Sequence, residues 1–166
     1  MSMDLHELII NPGRSLPFSC EISEERLAQP SIVSFSEPVT GSGEIRNEAG
    51  LLVLTGHIRT RLLCICDRCA AEFEKSVDIP LELTLATELE DEENPDFYLL
   101  CDEKLELEEV LSDCFILELE SSFLCREDCK GLCGRCGADL NMGPCSCKKE
   151  KDPRLAVLEQ LLDDKD

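Results

Sequence analysis

An α+β architecture, an antiparallel β-sheet or partly closed barrel with one packed helix ahead of a cysteine-rich tail, follows from three observations on this 166-residue sequence. From Phe73 to Leu85, apolar Phe73, Val77, Ile79, Leu81, Leu83 and Leu85 alternate with Glu72, Glu74, Ser76, Asp78, Pro80, Glu82 and Thr84. That period of two marks a half-buried strand. A single amphipathic stretch around residue 110 follows helical spacing instead, and six of the twelve cysteines crowd between Cys125 and Cys147.

Asp4 to Ile10 and Ser31 to Phe35 are strand candidates, and Val39 to Asn47 alternates more weakly before a turn at Glu48-Ala49-Gly50. Leu52, Leu54, Gly56, Ile58 and Leu62 share one parity, with Thr55, His57, Arg59 and Arg61 on the other, which predicts a further strand. The tight connection Cys64 to Ala71 then makes a hairpin with thiols at its tip, completing an antiparallel meander. Pro80 falls on the outward set, so its strand is expected at an edge or bent there, because proline donates nothing to a ladder. Residues 88–95 have neither period nor apolar content and predict an acidic loop. Leu107, Val110, Leu111, Cys114, Phe115 and Leu117 predict a helix from about 106 to 120, with Glu106, Glu108 and Glu109 where the helix dipole favours negative charge. Asp152-Pro153 reads as an N-cap and first helical residue, and Leu155, Leu158, Leu161 and Leu162 continue a short terminal helix. The expected division is an acidic β-sheet body over 1–124 and a cysteine-rich module with its helix over 125–166.

Six Phe, one Tyr and no Trp require a core of Leu, Ile and Val. The first residues lack a basic region followed by an apolar run, and no stretch approaches the roughly 20 apolar residues of a bilayer span, so a cytoplasmic protein without membrane contact is expected. Charge is unevenly spread. Residues 1–124 carry 8 Lys/Arg against 27 Asp/Glu, whereas residues 125–154 carry 7 against 5. So acidic a body repels bare nucleic acid and suits a basic protein partner, leaving any RNA contact to the cysteine-rich tip.

The tail reads Cys125-x3-Cys129-x3-Cys133-x2-Cys136-x8-Cys145-x-Cys147. A CxxC turn lets two sulfurs reach one tetrahedral zinc ion, and Gly137, after the second cysteine of Cys133-Gly134-Arg135-Cys136, permits the left-handed backbone such a turn uses. Cys145 and Cys147 supply the second pair. An eight-residue spacer is too short to fold by burial, so coordination must hold it. Cys66 and Cys69 at the hairpin tip can join Cys125 and Cys129 in a second site, tying sheet to tail. Two Zn2+ ions, one on Cys66, Cys69, Cys125 and Cys129 and one on Cys133, Cys136, Cys145 and Cys147, are favoured over a single ion with spare thiols. An iron–sulfur cluster uses the same ligands and is the main rival, ahead of disulfides or a redox pair. Arg68, Lys130 and Arg135 can offset the thiolate charge. Cys20, Cys64, Cys101 and Cys114 are left over and read as structural, and neither His6 nor His57 is a favoured ligand. No nucleophile with a marked base appears, and a four-thiolate ion has no open position for substrate, so the protein is expected not to be an enzyme.

At Cys66-Asp67-Arg68-Cys69, Cys129-Lys130-Gly131-Leu132-Cys133-x-x-Cys136-Gly137-x-x-Leu140-Asn141 and Asp152-Pro153-Arg154-Leu155 the sequence resembles the YceD family, the large ribosomal RNA subunit accumulation proteins of bacteria. The resemblance covers nearly the whole chain. It implies a bacterial cytoplasmic protein acting in accumulation of 23S rRNA and assembly of the large subunit, with ribosomal proteins or precursor large subunits as partners. Members differ in their number of tail cysteines, which implies that the 133/136/145/147 site is dispensable to the core role, and Gly134 stands where the family usually has proline. The alternative from another class is an rRNA-processing nuclease or a thiol or iron–sulfur redox protein.

Overall fold

The computed structural model describes residues 2–87, 97–100 and 102–147. The acidic loop at 88–95, Cys101 and the terminal helix expected from Asp152 lie outside the described residues. The chain opens with a short strand, β1 (Ser2–Asp4), and one helical turn, α1 (His6–Ile9). This corrects the expectation of a strand over Asp4 to Ile10. The Asp4 carboxylate accepts the His6 N–H at 2.9 Å, and the Leu5 carbonyl accepts the Leu8 and Ile9 N–H groups, each at 2.9 Å. Leu5 and Leu8, three residues apart, thereby both turn into the core, as a helix allows and a strand does not.

The main sheet follows from period-two alternation. Its strands are β2 (Ser15–Ile22), β3 (Ile32–Glu48), β4 (Leu51–Ile65), β5 (Glu72–Ala86) and β6 (Phe97–Leu99), adjacent in that order. All neighbours are antiparallel except β5 and β6, and the sheet is open. The runs 31–35 and 39–47 join in one strand, with register irregular between Ile32 and Thr40, where Pro38 interrupts the ladder. Strand β2 is new: Phe18, Cys20 and Ile22 face inward at period two. Among the described residues β6 meets β5 at Thr84 to Ala86 and nothing pairs beside Pro80 on that side, so the proline costs no ladder bond there.

A two-stranded second sheet, three residue pairs long, forms where β7 (Lys104–Glu106) pairs with β1. It leads straight into α2 (Leu107–Glu118), which ends where Leu119 turns extended. Helix α2 packs on the inner face of the large sheet, whose Leu54, Ile58, Leu62, Val39 and Ile45 meet buried Leu107, Leu111 and Phe115. Burial of each such side chain stabilises by about 1.5–3 kcal/mol. Small residues set the approach: a Cβ at Gly41 would stand 2.5 Å from Leu111 Cδ1, and one at Gly43 would stand 2.0 Å from the Thr55 carbonyl oxygen. Gly43 and Gly56 oppose one another across β3 and β4, so the strands close on each other where neither has a side chain. Buried Asn47 fastens the far end of the sheet, donating to the Leu8 and Ile9 carbonyls at 2.8 and 3.0 Å and accepting the Gly50 N–H at 2.9 Å. No helix among the described residues is long and apolar enough to cross a membrane.

Replacing Gly43 with alanine should destabilise the protein by about 3 kcal/mol, read from urea denaturation, because the obstructing atoms are backbone and cannot step aside. A second expectation concerns His6, whose Nδ1 lies 2.6 Å from a Glu103 carboxylate oxygen. That hydrogen bond, and then the Glu103 charge, raises the His6 pKa. Any stability it lends is complete below the ordinary histidine pKa of ~6.5 and disappears as pH climbs through the raised value. NMR titration of the ring should show the elevation, and Glu103→Gln should abolish it.

Candidate metal centre

The β4–β5 hairpin ends in a CxxC turn. The Cys66 N–H donates to the Ala71 carbonyl at 2.9 Å, the Ala70 N–H returns to the Cys66 carbonyl at 2.8 Å, and Ala70 takes a left-handed φ of 57°. Cys133-Gly134-Arg135-Cys136 repeats this arrangement. There the Cys133 N–H donates to the Ala138 carbonyl at 2.8 Å, the Gly137 N–H returns to Cys133 at 2.9 Å, and Gly137 has φ 69°. The two turns are the same knuckle built twice, with alanine in the strained position of the first and glycine in that of the second.

Each knuckle gathers a second pair of cysteines. Cys66, Cys69, Cys125 and Cys129 have sulfurs all within 4.8 Å of one another, and so do Cys133, Cys136, Cys145 and Cys147. Each group could hold a metal ion. A tetrahedral ion with Zn–S bonds of ~2.3 Å spaces its sulfurs ~3.8 Å apart. Cys66 to Cys129 measures 3.8 Å and Cys69 to Cys125 measures 3.7 Å. The groups differ in exposure: Cys66, Cys69 and Cys129 are buried, whereas Cys136 is exposed and its three companions are half-buried.

Crowding four sulfurs pushes their proton affinities apart. Burial opposes ionisation of Cys66, but N–H groups of Cys125, Cys69 and Arg68 overcome it and bring the thiol down to about 6. Burial, then the neighbouring sulfurs of Cys69, Cys66 and Cys129, push Cys125 up to about 12. In the other group, backbone N–H groups of Cys136 and Arg135 bring Cys133 down to about 6, while the Cys136 sulfur and then burial push Cys147 up to about 12. Like charges this close do not all ionise unaided, and a bound cation would allow it.

The two residues inside the first knuckle join the sheet to the tail. Asp67 donates its N–H to the Phe123 carbonyl at 2.8 Å and accepts the Phe123 N–H at 2.6 Å, and Ser31 Oγ donates to its other carboxylate oxygen at 2.7 Å. The Ser31 and Phe123 bonds hold the Asp67 carboxyl below its usual range. Arg68 accepts the Leu132 N–H on its carbonyl at 2.9 Å and donates from its guanidinium to the Cys129 carbonyl at 3.0 Å. A Cβ on Gly131 would stand 2.8 Å from that same Arg68 carbonyl, so only glycine allows the approach. Of the remaining cysteines, Cys20 and Cys64 are buried in the sheet and Cys114 is half-buried on α2, where burial pushes its thiol up to about 11. His6 and His57 face carboxylates, Glu103 and Asp78, and belong to neither sulfur group. Sequence reasoning missed the clamping roles of Asp67 and Arg68 and the contact of Asn141 with a cysteine sulfur, although the first two lie inside the motif that it singled out.

A family model described as large ribosomal RNA subunit accumulation protein YceD matches residues 54–162. An uncharacterized protein of Mycobacterium tuberculosis is 27% identical over 169 residues, covering 98% of this chain and 81% of the relative. Two plant proteins, each named large ribosomal RNA subunit accumulation protein YCED homolog 1, chloroplastic, are similar: that of Zea mays is 28% identical over 74% of this chain, and that of Arabidopsis thaliana 27% over 75%. The chain spans about half the length of these plant relatives, at 53% and 48%. No solved structure matches. The family match takes in both knuckles, most of β4, all of β5 and well over half of the sequence, and the chain therefore belongs to the YceD family of large ribosomal RNA subunit accumulation proteins.

Proposed function

We propose that this protein is a non-enzymatic factor in accumulation of 23S rRNA and assembly of the large ribosomal subunit, working in the bacterial cytoplasm with a tail held by two Zn2+ ions. The carrying observation is that the segment matched by the family model contains two groups of four cysteines, each with its sulfurs within 4.8 Å of one another. Four thiolates saturate zinc, so the ions stiffen the tail and leave no site for substrate. Sulfurs within 4.8 Å suit a single ion, whereas a cubane cluster spreads its four cysteines over four different irons. Cys66, Cys69, Cys125 and Cys129 hold one ion, and Cys133, Cys136, Cys145 and Cys147 the other.

Charge supports a protein partner. Over residues 125–147 three cations balance three carboxylates, and each four-thiolate zinc site adds two negative charges. The surplus positive charge of the tail comes from Lys148, Lys149, Lys151 and Arg154. The partner is then a basic ribosomal protein or its surface on a precursor large subunit, with rRNA reached only beside it.

Native mass spectrometry of the untagged protein should give two zinc ions per chain, falling to one in Cys133→Ser/Cys136→Ser. Brown protein containing several irons would overturn the zinc assignment. Tagged full-length protein should recover large-subunit proteins or precursor particles at low salt and release them as salt rises. Loss of that association in the same double variant would put the contact on the tail; absence of association at every salt concentration would sink the assembly reading.

A further inference from the structure

Cys129 and Cys133 have only three residues between them, yet they belong to different sulfur groups. What lies between and after them is a miniature hairpin. Leu132 pairs with Asp139, the Leu140 N–H donates to the Gly131 carbonyl at 2.9 Å, and the Cys133 knuckle forms the tip. At its base sits Asn141. The Lys130 N–H donates to the Asn141 side-chain oxygen at 2.8 Å, and a backbone N–H can only donate, so this bond fixes which way round the amide lies. The amide nitrogen is left facing Cys129 Sγ at 3.5 Å. Asp139 braces it from behind, its Oδ1 accepting from the Asn141 backbone N–H at 2.9 Å and from the side-chain nitrogen at 2.7 Å. Asn141 thus belongs by sequence to the loop that the exposed group closes, and by contact to the buried group.

We propose that Asn141 is a positioning residue coupling the two four-cysteine groups: the loop closed by Cys133, Cys136, Cys145 and Cys147 delivers its amide to the sulfur of Cys129. An N–H donated to a thiolate holds the sulfur in place and spreads its charge, and partners of this kind are worth about 10- to 100-fold in metal retention. An ion in the exposed group pins the tip of the hairpin and Cys145, four residues beyond Asn141, so it fixes the donor. With that ion gone, both sides of the loop are free and the buried group keeps its four sulfurs but loses an outer partner. The coupling runs one way through structure and both ways through free energy, as linkage requires.

The inference rests on the two-ion reading, and the experiment separates the two. Zinc-loaded full-length protein, its ions counted by native mass spectrometry, is exchanged against an excess of a second zinc isotope, so that both groups stay filled throughout. Two exchange phases are expected, the fast one from the exposed group and the slow one from the buried group. Asn141→Ala should quicken the slow phase by about tenfold. Cys145→Ser/Cys147→Ser should remove the fast phase and quicken the slow one to the same degree, and adding Asn141→Ala to it should change nothing more. Cadmium NMR supplies a readout that loosening of the hairpin alone would not move: in Asn141→Ala the resonance of the buried site should shift, and that of the exposed site should stay. Two ions with an unchanged slow phase, or additive effects of the two lesions, would overturn the coupling alone. A wild-type chain holding fewer than two ions would overturn the coupling together with the metal assignment.

Discussion

The structure hangs on a hairpin tip that must be held against a tail made some sixty residues later. A β-hairpin alone ends in solvent, and a segment such as 125–147 has almost nothing to bury: among its side chains only Cys129 is buried within a hydrophobic cluster. The CxxC turn solves both problems at once. Its sulfurs reach Cys125 and Cys129, its aspartate clasps the backbone at Phe123, and its arginine clasps the backbone at Cys129 and Leu132. Four residues therefore use side chains and main chain alike to make one joint.

What the sequence made legible was whatever depends on spacing. Alternation placed β4 and β5 nearly to their ends, helical spacing placed α2, and cysteine spacing marked out the knuckles. The failures have a common physical origin in contacts that spacing does not encode. Asp4 to Ile10 has enough apolar residues to pass for a strand, and only the Asp4 hydrogen bond to the His6 N–H and the shared burial of Leu5 and Leu8 turn it into a helix. Strand β2 alternates well enough, but Pro17 and the flanking Gly13 hide it behind turn signals. Asn141 carries no mark of its contact with Cys129, because that contact depends on how the Cys133 knuckle folds back.

Charge also reads differently in three dimensions. By formal count the tail is the least acidic part of the chain, which suggests nucleic acid at its tip. Thiolates change that sum. Once sulfurs are counted as metal-bound, residues 125–147 join the acidic body, and the cations are left in the few positions that follow. An acidic surface of this extent favours encounter with basic proteins over encounter with nucleic acid.

Cys66 and Cys129 are 63 positions apart in the chain. A chain made only as far as residue 120 already contains both strands of the hairpin and two of the four sulfurs, but not the two that complete the group. Closure waits until the tail emerges. In this architecture the buried centre is a receipt for a finished chain, and a product cut short before residue 125 is born without the means to close it.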